Sequence, residues 1–241
     1  MHRPLSFNPM KQVNIMNQGI EEQYILALHA GSAEIEKSLV EDFGFPPMTR
    51  EVAAAHEAGH VIVADAVGLP PILYTYIRKK RITGDQNAHI AGLPKAIWTG
   101  WTGWGDSIDN LYALSAQELL QRLLLVEGGW AGERAINQGH PASSVFERVP
   151  TAFHLAMLVR RHYHPAASDA ASLEAVKKWT MNFCRMAENR ALQIIRKRRH
   201  LFDRLRKKLY QCKRLEGDQL APFRIGTMKG WDRDLIPPVA H

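Results

Sequence analysis

The chain has 241 residues, enough for one well-buried domain with extensions and too few for two full ones. Apolar residues make up 46% and charged residues 23%, and no run approaches the roughly 18 uninterrupted apolar residues of a membrane span. Met1 to Ile20 has no apolar h-region, and Cys184 and Cys212 stand apart without a C-x-x-C partner. Those features argue against a secretory signal and a disulfide framework, so a soluble protein in a reducing, cytoplasmic compartment is expected.

Residues 1–47 read as an N-terminal extension, irregular to about residue 20 and weakly helical from Glu21 to Val40. Phe43-Gly44-Phe45-Pro46-Pro47 breaks the chain, and an Ala-rich helix is predicted over Val52 to Val67, stopped by Gly68. This helix carries the pentapeptide His56-Glu57-Ala58-Gly59-His60. Residues four apart share a helix face, so His56 and His60 can present both imidazoles to one metal ion. Glu57 is offset from them, placed to act on a water at that metal, which is the logic of H-E-x-x-H zinc hydrolases. Ala53 to Ala55 and Val61 to Val63 flank the motif, and burying two histidines and a glutamate there is costly without compensation.

Pro70-Pro71 ends the helical run, and the β-branched and aromatic segment Ile72 to Ile77 predicts a strand, with a turn at Thr83-Gly84-Asp85. A second short strand fits His89 to Trp98. The Trp98, Trp101, Trp104 repeat reads as a Gly-rich loop, either lining a substrate groove or packed on the surface. Ser115 and Glu118 form a capping box that starts a helix at Ala116, running through Gly128-Gly129 towards Gly139. The small residues there would let another backbone approach.

His140 to Val149 reads as a loop, followed by a helix from about Pro150 to His162 and a break at His164-Pro165. From Ala170 an amphipathic helix or helix pair is predicted to about Glu216, with Phe183, Met186, Ala187, Ala191, Ile194, Ile195, Leu201, Phe202, Leu205 and Leu209 as its apolar stripe. Its eleven cations from Arg190 to Arg214 supply much of the net charge of +7. They read as a solvated face, because no stacking aromatics interleave with them, and nucleic acid is not an expected partner. The Pro- and Gly-containing segment 217–241 is expected to be an irregular tail. The predicted fold class is mainly α with a small β-sheet, holding a zincin-like metal-binding helix in a helical domain at 48–216.

Ala55-His56-Glu57-Ala58-Gly59-His60-Val61 resembles the metal-binding helix of the FtsH family of zinc metalloproteases. Glu127-Gly128-Gly129-Trp130-Ala131-Gly132-Glu133-Arg134 resembles that family's Gly-Gly-Arg-x-Ala-Glu-Glu helix. Ala142-Ser143-Ser144 with Glu147-Arg148 resembles its Gly-Ala-Ser-Asn-Asp loop, and Asn189 to Leu205 its closing helices. The resemblance spans about residues 49 to 217 and implies a zinc-dependent endopeptidase acting on protein or peptide substrates. His56 and His60 would then bind Zn²⁺, and Glu57 would serve as general base and pass its proton to the leaving amine.

Two departures accompany the resemblance. No G-x-x-x-x-G-K-[ST] loop and no membrane span occur in these residues, so cleavage without an unfolding motor of its own is expected, with a homo-oligomer or a separate ATPase as possible partners. The family's third ligand is an aspartate, and the positions where it would fall here are Val145, Arg148 or Ala152. Glu147, the only carboxylate between Glu133 and Asp169, is the candidate replacement, with a solvent-facing loop charge as its alternative role. His154 is expected to pack on its helix. A catalytically degenerate relative acting as a protein-binding adaptor is the alternative function, and a nucleic-acid-binding protein built on the basic helix is a third.

Overall fold

The computed structural model describes residues 49–81, 96–104, 111–138, 151–163 and 173–235. Helix α1 (Arg50–Val67) runs through the middle of this architecture. The Thr49 hydroxyl accepts a hydrogen bond from the Val52 N–H, and Gly68 ends the helix at φ 81°, a left-handed conformation that suits a residue without Cβ. Fourteen of its residues are buried, so it is covered on every side. An apolar helix without a polar face belongs in a core.

Strands β1 (Ile72–Arg81), β2 (Ala96–Trp104) and β3 (Arg214–Glu216) form one antiparallel sheet in the order β2-β1-β3. The Trp segment is therefore not a loop: it is the edge strand β2 among the described residues. Its three-residue repeat conceals a two-residue alternation. Trp98 and Trp104 pack against the core, whereas Trp101, in register with Tyr76, is 53% exposed. The intervening glycines stand where neighbours close in. A Cβ at Gly100 would lie 2.6 Å from Glu57 Cδ, and one at Gly103 would lie 2.7 Å from the Tyr74 hydroxyl.

Helix α2 (Ala116–Ala135) opens with the Ser115/Glu118 capping box. It crosses α1 so closely that a Cβ on Gly59 would overlap the Gly128 carbonyl, and one on Gly132 would overlap that of Ala55. Helix α3 (Phe153–Tyr163) lies against α2, and α4 (Leu173–Lys197) and α5 (Arg199–Cys212) complete the bundle. The chain is mainly helical with a small antiparallel sheet, and no helix among the described residues is long and apolar enough to cross a membrane.

The apolar stripe of α4 and α5 is buried from Phe183 to Leu209, except for Met186, which is 39% exposed. Arg198, between these helices, also departs from a wholly outward basic side. It is buried, and its Nη1 donates to Asp65 Oδ2 at 2.7 Å. Asp65 Oδ2 also accepts the Ile225 and Gly226 N–H groups at 3.0 and 3.1 Å. Among the described residues, the segment from Gly217 has only two short 3-10 turns, as its composition suggests, yet Phe223, Trp231 and Leu235 are buried in the core. Cys184 is buried and Cys212 exposed.

Residues 1–48, the turn at 83–85, the first part of the predicted second strand, the loop at 140–149 with Val145, Glu147 and Arg148, and the break at 164–165 lie outside the described residues.

Candidate metal centre

The fold brings the three motif side chains together under the sheet. Ligand atoms of His56, Glu57 and His60 all lie within 4.8 Å of one another. The two imidazoles meet edge to face, with ring centroids 4.7 Å apart at 80°. Helical spacing alone gives the shared face; the orientation of each ring comes from α2.

His56 Nδ1 lies 2.6 Å from Glu133 Oε1, and His60 Nδ1 lies 2.7 Å from the Leu125 carbonyl oxygen. Both acceptors require Nδ1 to carry the proton, which makes Nε2 the nitrogen through which each ring would bind a metal. A partner on the far ring nitrogen is the usual support of a metal-binding histidine. Leu125, Gly129 and Glu133 follow at four-residue steps and so share one face of α2. Gly129 sits between the two acceptors, where a Cβ would stand 2.6 Å from His56 Cε1 and 2.7 Å from His60 Cε1. The glycine makes room for the pair of rings.

Glu57 is held from the other side. It is 3% exposed, and Thr102 on β2 donates its hydroxyl to Glu57 Oε2 at 2.6 Å. Thr102 is itself paired with the buried Thr75 hydroxyl on β1 at 2.9 Å. Strand pairing of Thr75 with Thr102 fixes both hydroxyls beneath the sheet. The carboxylate is therefore gripped by the sheet, and the imidazoles by α2.

Imidazole nitrogens with a neighbouring carboxylate suit Zn, Cu, Fe or Ni, so the donor set fits a first-row transition ion. Of the positions where a third ligand was sought, only Ala152 and His154 are described. Ala152 is buried and offers no donor; the His154 ring faces Tyr112, with centroids 6.0 Å apart. The sequence reading gave no role in the site to Glu133, Thr102, Thr75 or Gly129. Glu133 carried a signal, an acidic residue directly after the glycine-rich segment Gly128 to Gly132. No family model matches the sequence, and no curated protein is detectably similar to it.

Proposed function

We propose that the protein is a zinc-dependent endopeptidase of the FtsH type. The observation that carries the reading is the paired support of the imidazoles: each Nδ1 is hydrogen-bonded to α2, while Glu57 stands beside them, fixed by Thr102. His56 and His60 would hold Zn²⁺ through Nε2. When bound, that ion supplies Lewis acidity and lowers the pKa of water.

The chain's own groups account for the remaining work. Glu57 takes a proton from the attacking water as its oxygen bonds to the peptide carbonyl carbon. It then delivers that proton to the amide nitrogen as the C–N bond breaks. Thr102 keeps the carboxylate in one orientation through both transfers, so little reorganisation is required. Among the described residues β2 is an edge strand, and Gly100 lies directly over Glu57. An extended polypeptide added along β2 would pass beside this carboxylate, gaining affinity from main-chain hydrogen bonds and little sequence selectivity.

A metal-retaining protein that binds peptides without cutting them is the second reading, favoured by the absence of a donor at Ala152. One experiment separates the two. Protein purified without chelator is assayed for zinc by mass spectrometry and for casein cleavage, alongside Glu57→Gln. Equimolar zinc in both proteins with cleavage in the parent alone supports the peptidase. Zinc without cleavage in either supports the binding protein, and no zinc uptake in either defeats both.

A further inference from the structure

The sheet has a second face, directed away from the metal centre. Alternation along β1 puts Thr75 and Ile77 inward and Tyr74, Tyr76, Arg78 and Lys80 outward. Trp101 joins them from β2, opposite Tyr76, and Arg214 joins from β3, also opposite Tyr76. The Tyr74 and Tyr76 rings lie 6.3 Å apart at 18°, nearly parallel. The Arg214 guanidinium stands 5.5 Å from the Tyr74 centroid and 5.9 Å from that of Tyr76, and that of Arg78 lies 5.9 Å from Tyr76. The glycine at position 103 allows the Tyr74 ring to lie flat across the sheet.

Two physical requirements of unpaired nucleic acid meet here: aromatic faces for bases, and cations at strand spacing for phosphates. Residues Arg78 to Arg81 are all exposed, continuing the positive charge beyond the rings. The one acidic residue on the described part of this face, Glu216, is already neutralised by Arg214 at 2.7 Å. On the long basic face of α4 and α5, Arg199 and Arg206 are already bonded to Asp203, and the Arg50 guanidinium lies over the exposed Tyr210 ring, 4.5 Å from its centroid. A duplex would hide its base faces from Trp101, so the surface suits a single strand.

We propose that the outer face of the β2-β1-β3 sheet binds single-stranded nucleic acid, stacking bases on Trp101 and the Tyr74–Tyr76 pair and holding phosphates with Arg78 and Lys80. The proposal is independent of the peptidase reading, since Thr102 and Trp101 leave β2 in opposite directions.

The test is fluorescence anisotropy of a labelled oligothymidylate of about 16 nucleotides, titrated with the full chain at several salt concentrations. Binding should tighten as salt is lowered. Trp101→Ala should weaken it about tenfold with an unchanged salt slope, and Trp101→Phe should restore much of the loss. Arg78→Ala with Lys80→Ala should flatten the log–log salt slope by about 1.4, at about 0.7 per phosphate contact. Lys207→Ala on α5 should change neither. No binding at low salt overturns the proposal, as does binding that ignores Trp101→Ala. Capture by phosphatidylserine vesicles in place of the oligonucleotide, lost in the same variants, overturns it in favour of a membrane surface.

Discussion

Glu133 reaches across from α2 to hold His56, its Oε1 only 2.6 Å from Nδ1 although the two residues are 77 positions apart. Its carboxylate is 1% exposed, so the pair is formed away from competing water. Loss of such a supporting partner costs roughly 10- to 100-fold in metal affinity. Glu133→Ala is therefore expected to weaken zinc binding by that factor, measured by competition with a chelator. Glu133→Gln, which keeps an acceptor, should lose less. Equal affinities in all three proteins would remove Glu133 from the site.

Thr102 makes a different prediction, because its hydroxyl is bonded to Glu57. Thr102→Val preserves the shape and deletes the donor to Glu57 Oε2. A hydrogen bond to a charged group contributes about 1.5–3 kcal/mol. If Glu57 needs that support at the transition state, cleavage should fall about 10- to 100-fold while zinc stoichiometry holds. Loss of zinc instead would assign Thr102 to the fold of the metal site.

The crossing of α1 and α2 reverses an ordinary expectation. Gly→Ala inside a helix usually stabilises by about 1 kcal/mol. At Gly59 and Gly132 the new methyl would collide with the backbone of the opposite helix. Each substitution should cost about 1–3 kcal/mol in urea unfolding, through overpacking that side-chain rotation cannot relieve. The double variant should fall short of additivity, since both residues sit at one crossing and a single separation relieves both clashes.

Acid stability has a local source on α5. Burial pushes the Asp203 carboxyl up, but hydrogen bonds from Arg199 and Arg206 outweigh this and hold it below its ordinary value. A lowered folded-state pKa contributes stability that is complete above the unfolded value, about pH 4, and is lost as pH falls through the folded one. Asp203→Asn should therefore destabilise by about 0.2–1 kcal/mol near neutrality, as expected for a part-exposed ion pair. The difference from the parent should vanish at the acid end of a pH series. A gap that widens on acidification would contradict the assignment.

The helical elements were legible because their signals are local. The capping box at Ser115, the glycine stop at Gly68 and the apolar stripe from Phe183 to Leu209 each depend on residues a few positions apart. The predicted second strand reached only the start of β2, and the part from Thr99 to Trp104 was missed for the opposite reason. Gly100 and Gly103 look like loop residues until Glu57 and Tyr74 are seen to occupy the space above them. The segment after Gly217 likewise showed its irregular backbone but not its burial, which depends on Asp65 gathering Arg198, Ile225 and Gly226 from distant parts of the chain.

The sequence alone settled that His56, Glu57 and His60 share one stretch of helix, because a 3.6-residue period leaves positions four apart on the same side. Which nitrogen each ring offers, and how the carboxylate is aimed, were decided by contacts with Leu125, Glu133 and Thr102. Those partners come from another helix and a strand, and no local periodicity encodes them. Helix geometry is a property of neighbouring residues, whereas ring orientation is a property of what packs against them.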